Sequence, residues 1–178
     1  IAHAPVTTIG EKRIRASAVF WYLSGIRIGA FVSMPLLAID LDNLTLKQWP
    51  KLGVRTKFKK HATTFLLNIP DLIEVVREWD REVRSVCNNE GLWFARLSPD
   101  TGKVIPGALH AGEYRASIAA RDLRNWLKKA GLPFHSPHKF RHGHAIYAIK
   151  MAKDIQALKA ISQNLMHSNI SITDGIYG

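Results

Sequence analysis

The chain has one cysteine, Cys87, and only 14 acidic residues among 178. A single thiol excludes an internal disulfide and any cysteine-rich zinc module. No apolar run reaches the ~20 residues needed to span a bilayer, and no secretory signal pattern is present. Together these absences suit the cytoplasm. No internal repeat or low-complexity segment is visible, which excludes a solenoid or a disordered tract.

Positive charge is in excess. Lysine and arginine total 25, giving a formal charge of +11 and a pI near 10.0. Such an imbalance points to a polyanionic partner, through long-range attraction and counterion release. Nucleic acid fits this best, and an anionic membrane surface is the rival. Hydrophobic residues make up 47%, enough for a folded core.

The patterning predicts a mainly α fold with a small antiparallel sheet, an α+β architecture. Thr8 with Glu11 three positions on forms a capping box, so a helix runs to Ser24 with Gly25 as its stop. "IRIGAFVSM" reads as a second short helix ended by Pro35. "LTLKQW" and "ATTFLL" have strand composition, joined by the basic, turn-rich "PKLGVRTKFKKH". Leu72, Val75, Val76, Trp79, Val83 and Val86 recur at helical spacing over residues 71–87. "SPDTGK" is a turn. Residues 116–130 form another helix with Leu123, Trp126, Leu127 and Ala130 inward. Ile155, Leu158, Ile161 and Leu165 mark a further helix, and Ile170, Ile176 and Tyr177 a last short one. Residues 1–178 read as a single domain, with 1–7 a linker from a preceding DNA-binding domain.

The stretch "SPHKFRHGHAIYAI" carries the densest chemistry. Ser136 is a good N-cap and Pro137 a good first residue. His138 and Arg141 then share a face of the first turn, beside free N–H groups and the positive end of the helix dipole. All of these favour an anion. A metal needs acids or thiolates nearby, and none lies between Asp122 and Asp154. The bland alternative is a solvated, positive helix start. Whatever His138 does, His142 and His144 are expected to be bland: one packs or hydrogen-bonds and the other faces water.

Three further segments extend the pattern: "SGIR" with Arg27, "LMH" with His167, and "TDGIY" with Tyr177. The ordered set resembles the catalytic domain of tyrosine recombinases, the phage integrase family, from about Arg13 to Gly178. The resemblance implies that Arg27 and Arg141 clamp a phosphate and that His138 and His167 donate hydrogen bonds or move protons. It also implies that Tyr177 attacks phosphorus and that a turn lysine protonates the leaving oxygen. Lys57 best matches the spacing for that lysine, with Lys59 as runner-up. Arg55, Lys59, Lys60 and Lys139 are expected DNA-backbone contacts. No metal, cofactor or ATP is implied. The implied reaction is site-specific recombination or integration through a 3′-phosphotyrosyl link and a Holliday junction. The implied source is a prokaryote, phage or mobile element.

Three positions depart from the family pattern. Ala30 stands where an acid usually braces the arginine, Met166 where a glycine precedes the histidine, and Gly143 where Ser or Thr is common. Arg27 therefore needs another brace or sits in a looser site, and the backbone at residue 166 must tolerate a side chain. The implied partner is double-stranded DNA, bound by a homotetramer of the full-length protein; this piece alone is expected to be a monomer. Three alternatives stay open: a degenerate DNA-binding module, a type IB topoisomerase-like nicking enzyme, and a metal-dependent nuclease.

Overall fold

The computed structural model describes residues 1–107 and 109–166. Its centre is α1 (Ile9–Ser24), which packs against three other helices. Ile14, Ala18, Phe20, Trp21 and Leu23 are all buried, and from Ala16 to Ser24 every residue but Tyr22 is buried, as a core helix requires. The expected cap is present: Thr8 Oγ1 accepts from Glu11 N–H at 3.1 Å. The Glu11 carboxylate reaches back one residue further than expected, to the N–H of Thr7 at 2.7 Å, and also binds Lys129. Those donors pull its pKa down to about 2.

Gly25 ends α1 with φ 61°, and α2 (Ile28–Val32) follows as a single buried turn. Next come β1 (Ile39–Asp40), β2 (Thr45–Gln48) and β3 (Ala62–Phe65), an antiparallel sheet in the order β1-β2-β3. The hairpin of β2 and β3 was legible in the sequence, but both strands are shorter than expected. Leu44 has φ 51° and so lies outside the ladder. Pro50, without an N–H, opens a 3-10 turn after Trp49.

The next helix, α3 (Pro70–Arg84), ends three residues short of the expected 87. The chain tightens into a turn there, leaving Val86 exposed while Cys87 is buried. Its inward stripe of Ile73, Val76, Trp79 and Val83 packs on α1. α4 (Arg115–Lys129) buries Leu123, Trp126 and Leu127. Between α1 and α4, Arg13 bridges to Asp122 at 2.8 Å. α5 (Pro137–Met151) also packs on α1, and α6 (Ile155–Asn164) packs on α5 and β3. On α6 the expected stripe is only partly covered: Leu165 is buried, whereas Ile155 is exposed. The expected last short helix, with Ile170, Ile176 and Tyr177, lies outside the described residues, as does His167.

Candidate active site

α5 begins as its sequence dictates. Ser136 Oγ accepts from Lys139 N–H at 3.3 Å, and Pro137 fills the first turn. His138 and Lys139 are exposed at the helix start, while Arg141 on the next stretch is only 6% exposed. A buried guanidinium needs partners, and no acid bonds it among the described residues. Instead it donates to the carbonyl of Gly25 and, at 2.6 Å, to that of Leu165. These are the cap residues of α1 and α6. Helix C-termini carry unpaired carbonyls and the negative dipole end, so both helix ends suit a cation.

This bridge organises the site. Gly25 lies two residues before Arg27, and Leu165 two before His167. The turn at Gly25 is tightly built: Ser24 Oγ accepts from Ile26 N–H at 3.2 Å. A Cβ on Gly25 would lie 2.6 Å from the His144 ring and 2.8 Å from Leu165. The glycine of "SGIR" is thus required by both φ and space.

Arg27 is the N-cap residue of α2 and half-buried. Desolvation lowers its pKa. No hydrogen bond or ion pair reaches its guanidinium from the described residues. Ala30, in the place of the usual acid, is 2% exposed in the core.

His138 makes an unexpected contact: its Nε2 lies 2.8 Å from Nε2 of His142, with the rings nearly perpendicular and 4.4 Å apart. One nitrogen must carry a proton and the other lack it, so the contact cannot survive double protonation. The pKa of His138 is lowered, first by desolvation and then by His142, Arg141 and Arg27. His142 is therefore a partner of His138 rather than a bystander. Its i+4 spacing was the available signal.

His144 is the structural histidine of the set. It is 1% exposed, and burial drives its pKa to about 4. Nδ1 lies 2.9 Å from the carbonyl of Tyr22, which can only accept, so Nδ1 carries the proton. Nε2 then accepts from Asn164 Nδ2 at 3.5 Å. Asn164 also pairs with the backbone of Phe65, accepting at 2.6 Å and donating at 3.0 Å, which ties α6 to β3. Gly143 leaves room for the Tyr22 ring, which a Cβ would meet at 3.2 Å.

Met166 has φ 53°. This is the left-handed region that glycine occupies freely and other residues enter at a cost. The glycine expected before the histidine thus answers a backbone requirement that Met166 meets under strain.

The β2–β3 connection presents Lys57, Lys59 and Lys60, all exposed. The Lys57 ammonium sits 5.0 Å over the Phe58 ring. Arg55 is anchored: its N–H donates to Ser33 Oγ at 2.8 Å and its guanidinium to the Gly112 carbonyl at 2.8 Å. The structure gathers Arg27, His138 and Arg141, with both arginine charges acting on the His138 ring, and places Lys57 on the exposed β2–β3 connection. His167 and Tyr177 lie outside the described residues. Among the described residues, no group of three or more His, Cys, Asp or Glu could hold a metal ion, and no helix is long and apolar enough to cross a membrane.

A family model described as the phage integrase family matches residues 1–178. The chain belongs to that family. A tyrosine recombinase XerC from Bifidobacterium longum is 28% identical over 171 residues, covering 93% of this chain. The chain spans 43% of that relative's length. Among solved structures, a XerA recombinase aligns with a TM-score of 0.61 at 17% identity, over 98% of this chain and 61% of that one. A XerH site-specific recombinase bound to its difH substrate, a pre-cleavage complex, also gives 0.61 at 17% identity, over 98% of this chain and 45% of that one. The fold is that of tyrosine recombinase catalytic domains. The phage integrase resemblance read from "SGIR", "HKFR", "LMH" and "TDGIY" is borne out at the level of family and fold.

Proposed function

We propose that this chain is the catalytic domain of a site-specific DNA recombinase that cuts and rejoins strands through a 3′-phosphotyrosyl intermediate. The observation that carries the reading is the Arg141 bridge, which ties the turn before Arg27 to the segment before His167. Arg27 and Arg141 neutralise the non-bridging oxygens as phosphorus becomes five-coordinate. His138 and His167 donate to the same oxygens or move protons. Tyr177 Oη gives its proton to a histidine of the site and forms the bond to phosphorus, and the 5′-oxygen leaves as its bond breaks, taking a proton from Lys57. Reversal by another 5′-hydroxyl rejoins the strand without ATP.

The partner is double-stranded DNA, to which Arg55, Lys59, Lys60 and Lys139 supply backbone contacts. The XerH structure, a recombinase with its DNA substrate, supports that partner. The full-length protein works as a homotetramer on paired sites. Incubation with a nicked suicide duplex in EDTA tests the reading. A denaturation-resistant protein–DNA band is expected, and its loss in Tyr177→Phe. DNA binding with no band would favour the degenerate module of the same fold, for which Ala30 and Met166 speak.

A further inference from the structure

The tip of the β2–β3 connection holds a feature that phosphate chemistry does not use. Phe58 is 79% exposed, more than any other large apolar side chain among the described residues. It stands at φ 59° and ψ 27°, and Lys59 follows at φ 52°. Two consecutive non-glycine residues in the left-handed region are costly. An aromatic ring in water gains nothing from burial. The turn holds the ring out from the molecule against both costs.

The surroundings say what it meets. Between Asp42 and Asp71 there is no acid, while Lys47, Lys51, Arg55, Lys57, Lys59 and Lys60 all fall there. The turn is fastened at both levels. Thr56 Oγ1 donates to the Lys60 carbonyl at 2.7 Å across the tip, and Arg55 is pinned to Ser33 and Gly112 at the base. A rigid, all-cationic turn capped by one aromatic matches a surface with phosphates outside and flat π-faces within, which is a nucleic acid.

We propose that Phe58 is a wedge that stacks at a base step of duplex DNA. The proposal rests on the DNA reading above. The lysines around it contact phosphates, and Phe58 supplies an uncharged contact that unstacks the step and registers the turn on the duplex.

The test is equilibrium binding of the chain to a short duplex, either fully paired or with one central mismatch, over a range of salt. Substitutions are Phe58→Ala, Phe58→Trp and Lys59→Ala. A mismatch removes part of the unstacking cost, so wild type should bind that duplex more tightly than the paired one. Phe58→Ala should lose this preference and about 5- to 100-fold in affinity, with its salt slope unchanged. Phe58→Trp should keep both. Lys59→Ala should instead flatten the salt slope by about one unit. Unfolding midpoints equal to wild type confirm that the variants are folded, as expected for so exposed a side chain.

Phe58→Ala binding both duplexes as wild type does would overturn the wedge and leave the ring to a protein partner. Wild type binding neither duplex at low salt would overturn the DNA reading itself.

Discussion

The Arg141 guanidinium donates to the Leu165 carbonyl at 2.6 Å, so a buried cation of α5 closes the C-terminus of α6 just before His167. A second N–H of the same group closes the C-terminus of α1 just before Arg27. The group is planar, with donors in a fixed fork. Arg141→Lys keeps the charge but cannot span both carbonyls. It is expected to cost about 2–3 kcal/mol of stability and at least about 100-fold in DNA cleavage. Urea unfolding and the rate of covalent adduct formation check this; wild-type values for both would show that the bridge is dispensable.

Gly25→Ala tests the turn that presents Arg27. The added Cβ combines a positive φ with contact on the buried His144 and Leu165 side chains. A loss of about 2–4 kcal/mol is expected, with cleavage falling more than binding. Thermal unfolding that matches wild type would mean the turn relaxes without consequence.

Met166→Gly should relieve backbone strain worth about 1 kcal/mol, against the packing lost from a half-buried side chain. The expected result is a urea midpoint equal to or above wild type, with Met166→Ala no better than wild type. A clear drop for the glycine variant would show that the Met166 side chain, not the backbone, sets the energy there.

His144 makes stability depend on pH. Burial lowers its pKa from 6.5 to about 4 in the folded state. The folded form therefore keeps its full stability above pH 6.5 and loses it as pH falls toward 4. The contribution is at most about 3 kcal/mol. His144→Asn, which can still donate to the Tyr22 carbonyl, should flatten the pH 6.5-to-4 slope of the unfolding free energy. An unchanged slope would assign it to other groups.

The His138–His142 contact predicts a titration effect. His138 is held below its ordinary pKa, first by desolvation and next by His142. His142→Phe should raise the His138 midpoint, read from its ring resonances by NMR. A midpoint that stays put or falls would refute the coupling.

The helices were legible because their signals are local. Thr8 and Ser136 cap where expected, and the stripe of α3 is unambiguous in a window of 15 residues. Helix and strand ends were harder, since Leu44 leaves the ladder through a positive φ that no residue type announces. β1 has two residues and exists only through its pairing with β2, a tertiary fact. In the site, Arg27, His138 and Arg141 were legible as residue types. The way Arg141 is held was not: its described partners include carbonyls 116 and 24 residues away, and every residue has a carbonyl. The same limit hid the role of Phe58, whose exposure depends on how the turn is fastened.

The most direct test of the account is to find which residue carries the DNA. The adduct formed on a suicide duplex in EDTA would be digested with nuclease and protease, and the linked peptide sequenced by mass spectrometry. The account predicts a nucleotide 3′-phosphate on Tyr177 alone among the four tyrosines. A link at Tyr22, Tyr114 or Tyr147, or at a non-tyrosine residue, would contradict it.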